Sequence, residues 1–90
     1  MSSGSQQVLI QNRRGLHARA SAKFVTLASG FSAHVTVSKD GTEVTGTSIM
    51  GLMMLGAAMG DSIIIAASGD GHETALAQLV ALVEDKFGED

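Results

Sequence analysis

The sequence predicts an α+β domain of element order β-α-β-β-α-β-α, with three helices covering one face of a β-sheet. Three observations carry this reading. Ala33, Val35 and Val37 alternate with His34, Thr36 and Ser38, the period of a half-buried strand, and Asp40-Gly41 follows as a tight-hairpin signal. Ala20, Phe24, Leu27 and Phe31 recur at three- and four-residue steps, as do Leu76, Leu79, Val80, Val83 and Phe87. Ile63 to Ala67 is an unbroken apolar run, which reads as a strand interior to a sheet.

Each element can be justified in turn. Residues 1–5 are small and polar beyond the initiator and are expected to be disordered, leaving residues 6–90 as a single domain. Val8-Leu9-Ile10 centres a first strand over Gln7 to Gln11. Asn12 to Gly15 is a turn, in which Gly15 is free to take positive φ. The first helix opens near Ala18, and Gly30 is placed to end it. Thr42 to Thr45 returns from the hairpin as a short polar edge strand, with His34 on the solvent side of its neighbour. Gly46-Thr47-Ser48 opens a short second helix with Thr47 or Ser48 as N-cap, and Leu52 and Leu55 suit the core. Asp70 followed by Glu73 has capping-box spacing ahead of the last helix, with His72 in its first turn, Lys86 in its final turn and Gly88 beyond.

Composition narrows the function classes. Ninety residues suit one core, and 44% hydrophobic residues can fill it from Val, Ile, Leu, Met and Ala. The absence of cysteine excludes a disulfide framework and thiolate chemistry and fits a reducing cytoplasm. No secretory pattern precedes the first strand, and the longest apolar stretch, Ile49 to Met59, is interrupted by glycines and too short to span a bilayer. A net charge of −3, with no Tyr or Trp for stacking, argues against nucleic acid as a partner. Yet Arg13, Arg14, Arg19 and Lys23 are four of the six basic residues, and no acidic residue precedes Asp40. That basic third should collect anions or acidic partner surfaces.

Arg14-Gly15-Leu16-His17-Ala18-Arg19-Ala20 focuses the charge. A glycine turn delivers His17 to a helix start, where backbone N–H groups lack intrahelical partners and the peptide dipoles leave partial positive charge. Such a point receives phosphate readily. A histidine there can serve as a helix cap on the surface. It can also take a phosphoryl group on a ring nitrogen, held by Arg19 and the amides of Ala18, Arg19 and Ala20. Histidines at 17, 34 and 72 lack short-range metal-ligand spacing, and no phosphate loop or dinucleotide glycine pattern is present, so no metal or cofactor is expected.

Gly15-Leu16-His17-Ala18-Arg19 resembles the active-site motif of HPr, the histidine-containing phosphocarrier of the bacterial phosphoenolpyruvate-dependent phosphotransferase system. Thr47-Ser48-Ile49-Met50-Gly51-Leu52-Met53 resembles the regulatory-serine helix of that family, at the family's spacing from the histidine. Together they stand in register across roughly residues 6 to 88.

The resemblance implies an HPr-like open-faced sandwich whose antiparallel sheet is ordered 1-4-2-3. It further implies a phosphoryl relay rather than an enzyme. His17 would accept the group on Nδ1 from enzyme I and pass it to enzyme II A domains. Ser48 would be open to inhibitory phosphorylation by HPr kinase/phosphorylase. Ile49, Met50 and Met53 would form a docking face, where methionine adapts to several partners. Many members of the family have proline where this chain has Ala20. A monomer is expected. The other reading is a regulatory binding protein of a nitrogen-related phosphotransferase branch, acting through the Ile49–Met53 face.

Overall fold

The computed structural model describes residues 2–89. Its elements are β1 (Ser3–Leu9), α1 (Ala18–Ser29), β2 (His34–Lys39), β3 (Thr42–Thr45), α2 (Ile49–Met54), β4 (Ser62–Ser68) and α3 (His72–Glu84), followed by a 3₁₀ turn at Lys86–Gly88. The sheet runs β1-β4-β2-β3, every neighbour antiparallel, so the expected order 1-4-2-3 holds. β4 lies between β1 and β2, as its unbroken apolar run requires.

Alternation decides which side of each strand is covered. Val35 and Val37 of β2 and Ile63, Ile65 and Ala67 of β4 are buried, and α3 packs on β1 and β4. Ile64 is 44% exposed on the opposite side, so the helices cover one face and solvent bathes the other. Phe24 of α1, Leu52 of α2 and Leu79 and Val83 of α3 close the core against these strands. Leu27 and Phe31 pack at its margin, and Ala20, Ser21 and Ala28 join Phe24 in the shielded positions of α1. The hairpin between β2 and β3 places Asp40 at φ 51° and Gly41 at φ 85°, the doubly left-handed turn that Asp-Gly favours.

Three local expectations are corrected. Ser3, Gly4 and Ser5, expected to be disordered, belong to β1 and pair with Ser68, Ala67 and Ala66; Met1 lies outside the described residues. The ladder is made by backbone groups, so the length of β4 extends the strand beyond its apolar side chains. Asp70 does not cap α3. Gly71 is the N-cap at φ 73° without a side-chain bond, because the His72 amide turns back to the Gly69 carbonyl at 3.2 Å. Lys86 is not in the last helical turn. α3 stops at Glu84, and Lys86, Phe87 and Gly88 all take positive φ, at 56°, 55° and 75°. Phe87 is nevertheless fully buried. Left-handed backbone at a non-glycine residue costs about 1–3 kcal/mol, and burying a phenylalanine returns a similar amount.

Candidate phosphoryl site

The site begins with a turn whose ends, Asn12 and Gly15, are buried while Arg13 and Arg14 between them are exposed. The Gly15 amide donates to the Asn12 carbonyl at 3.1 Å, and Gly15 takes φ 64°. A Cβ on Gly15 would stand 2.3 Å from the Ala57 carbonyl oxygen, so no other residue fits without moving the backbone. The next amide, that of Leu16, donates to that same oxygen at 2.9 Å, and the Leu16 side chain is buried. The segment after α2 thus clamps the turn from outside, and the chain enters α1 at a set angle.

His17 is the N-cap of α1, with extended backbone at φ −75° and ψ −179°. Its carbonyl accepts the first helical bond, from the Ser21 amide at 2.9 Å. Its ring nitrogen Nδ1 faces the first turn and accepts from the Arg19 amide at 3.3 Å. The ring thereby sits at the positive end of a twelve-residue helix, with Ala18, Arg19 and Ala20 supplying first-turn amides. Ala20 is fully buried and Ala18 exposed, so the methyl in the family's proline position packs inward. At 22% exposure the His17 side chain is reachable and still held.

Its other nitrogen, Nε2, stands 2.5 Å from Glu89 Oε2. Asn12, completely buried, donates from Nδ2 to Glu89 Oε1 at 3.1 Å and to the Gly15 carbonyl at 2.8 Å. Burial disfavours the charged Glu89 carboxyl, yet the hydrogen bonds from His17 and Asn12, with the positive charge nearby, hold its pKa below the ordinary glutamate value. Arg13, Arg14, Arg19 and Glu89 together line a cleft at this corner. Larger clefts lie by the β4–α3 turn and between α1 and α3, and His17 lines neither.

The residues singled out from the sequence therefore fall on two neighbouring helix starts. His17, Ala18, Arg19 and Ala20 open α1. Ser48 caps α2, its Oγ accepting from the Gly51 amide at 3.0 Å, and α2 packs against α1. Ile49, Met50 and Met53 are 42%, 73% and 45% exposed. Met54 of α2 and Met59 in the segment after it are also exposed. Asn12 and Glu89 were not legible as site residues. Asn12 read only as part of a turn, and Glu89 lies 72 positions from His17 along the chain.

An open-faced sandwich whose first helix is capped by a reachable histidine defines a class of small α+β domains able to present an imidazole to anions. The chain belongs to the HPr family of the phosphotransferase system: the family model described as "PTS HPr component phosphorylation site" matches residues 4–85. It is similar to the phosphocarrier protein HPr of Cupriavidus necator, 44% identical over 80 residues, which cover 89% of this chain and 90% of that one. It is also similar to the phosphocarrier protein NPr of Escherichia coli, 42% identical over 86 residues, covering 94% and 96%. Among solved structures, HPr from Thermoanaerobacter tengcongensis superposes with a TM-score of 0.92 at 45% identity, covering 97% of this chain and 98% of that one. Proteins of this family are phosphocarriers and not enzymes in themselves.

Proposed function

We propose that this protein relays a phosphoryl group through His17. The Nδ1 lone pair attacks the phosphorus of phospho-enzyme I; the donor's P–N bond breaks and its electron pair returns to the donor nitrogen. The reverse sequence delivers the group to a histidine of an enzyme II A domain. Phosphoryl transfer asks for positioning and charge neutralisation. The observation that carries this reading is the direction of Nδ1, which accepts from the Arg19 amide at the N-terminus of α1. The guanidinium of Arg19, with Ala18 and Ala20 amides, neutralises the transferred charge. The relay works as a cytoplasmic monomer that leaves catalysis to its partners.

Docking uses the exposed Ile49, Met50 and Met53 on α2, a surface suited to small, quickly released interfaces. Phosphorylation of Ser48 by a kinase would put charge on that face. The cap geometry tolerates the charge locally, while acidic partners are repelled, so transfer to His17 slows.

The experiment is incubation with phosphoenolpyruvate and enzyme I. An acid-labile, base-stable gain of one phosphoryl group, absent in His17→Ala, supports the relay; no gain in the wild type refutes it. A second reading, regulation within a nitrogen-related branch through the Ile49–Met53 face, is favoured by the likeness to Escherichia coli NPr. Which enzyme II A protein removes the label from the phosphorylated carrier separates the two.

A further inference from the structure

We infer that Glu89, held by Asn12, is a positioning residue that presents Nδ1 of His17 as the nucleophile and faces the charge that forms on the ring. This rests on the relay reading above. A neutral imidazole carries a lone pair on one nitrogen only, and the hydrogen bond at the other nitrogen selects which. An ionised carboxylate only accepts, so Nε2, 2.5 Å from Glu89 Oε2, must carry the proton. The Arg19 amide only donates, so Nδ1 must carry the lone pair. Both contacts select the same tautomer.

The surroundings of Glu89 look built for that task. Asn12 spends both amide hydrogens, one on Glu89 Oε1 and one on the Gly15 carbonyl. It thereby ties the segment after α3 to the turn that delivers His17. Its own Oδ1 is buried and, among the described residues, has no hydrogen-bond partner. Packing alone would favour an apolar side chain there. What Asn12 supplies is its pair of donors. The left-handed run Lys86-Phe87-Gly88 turns the chain back toward His17, and the Lys23 ammonium donates to the Phe87 carbonyl at 2.7 Å to hold it. Uncommon backbone of this kind persists where surrounding contacts over-determine it, and it gathers at functional sites.

The step balances. As the new P–N bond forms at Nδ1 and the donor's P–N bond breaks, Nε2 keeps its proton and the ring becomes cationic. The Glu89 carboxylate stands against that cation. On onward transfer the P–N bond at Nδ1 breaks, its pair returns to Nδ1, and the ring is neutral again.

The test compares wild type, Glu89→Ala and Glu89→Gln in transfer from phospho-enzyme I, alongside nitrogen-resolved NMR of the His17 ring. In Glu89→Ala, kcat is expected to fall roughly tenfold with KM unchanged, because the ring loses its orientation and its counter-charge. The protected Nε2–H resonance of the unphosphorylated wild type disappears in the same variant. Glu89→Gln, which keeps an acceptor and lacks the charge, recovers part of the rate. An unchanged kcat in Glu89→Ala, or a loss confined to KM, overturns the inference. A wild type that takes no label removes the relay reading, and this inference with it. That result differs from a labelled wild type whose Glu89→Ala variant keeps its kcat.

Discussion

Nε2 of His17 and the Glu89 carboxylate meet at 2.5 Å although the two residues lie 72 positions apart in the chain. The contact joins the start of α1 to the segment beyond α3, and it sets a pH dependence. Glu89 has its folded-state pKa lowered from the ordinary 4.5, its desolvation outweighed by hydrogen bonds from His17 and Asn12. A carboxyl of this kind contributes stability that is fully present above the unfolded value and is lost as pH falls through the folded one. Thermal melts of wild type and Glu89→Gln should therefore differ at neutral pH and converge in acid, as pH falls through the lowered Glu89 value. Curves that stay parallel through the acid range would show that the carboxylate contributes nothing.

Arg19 lines the cleft beside Glu89 with Arg13 and Arg14. On the proposed relay, reversing its charge places an anion where the phosphate oxygens would come to rest. Arg19→Glu should slow phosphoryl transfer by roughly tenfold or more, with an unchanged circular-dichroism melt, since the side chain is exposed. Rapid-quench transfer rates check it. Comparable rates in the two proteins would remove the electrostatic role.

Gly15 is the tightest point of the site. A methyl group there meets the Ala57 carbonyl oxygen at 2.3 Å while the backbone stands at φ 64°. Gly15→Ala should cost roughly 2–4 kcal/mol, the sum of left-handed strain and a backbone clash. Urea unfolding measures this directly. A loss under half a kcal/mol would mean that the turn relaxes freely.

Ser48 caps α2 through the Gly51 amide at 3.0 Å. Ser48→Ala should destabilise the domain by about 1 kcal/mol, the usual worth of an N-cap. Ser48→Asp keeps a capping acceptor but adds charge to the exposed α2 face, so enzyme I binding should weaken several-fold on titration calorimetry. An equal dissociation constant would move the docking surface away from α2.

Phe87 is fully buried in a left-handed turn. Phe87→Ala should cost about 3–5 kcal/mol as a large core truncation. It should also lower transfer at His17, because the turn that carries Glu89 loses its anchor. Folded protein with a full transfer rate would uncouple the two.

Much of the fold was legible because it rests on periodicity. The alternation at 33–38 placed β2, Asp40-Gly41 placed the hairpin, and the unbroken Ile63–Ala67 run placed β4 inside the sheet. Ser3-Gly4-Ser5 carried no such signal, since backbone pairing with β4 needs no apolar side chain. Asp70 and Glu73 had the spacing of a cap, but two left-handed glycines moved the helix start to His72.

The amino-acid sequence by itself determined the parts that local chemistry controls: which residues alternate or recur, where glycine must turn the chain, and that His17 opens a helix. Only the tertiary structure decided that Glu89, held in place by Asn12, meets that imidazole at Nε2. The reason is distance along the chain. A turn or a cap is settled within a few residues, whereas a contact across 72 positions exists only after helices, sheet and the buried Phe87 have brought both ends to one place.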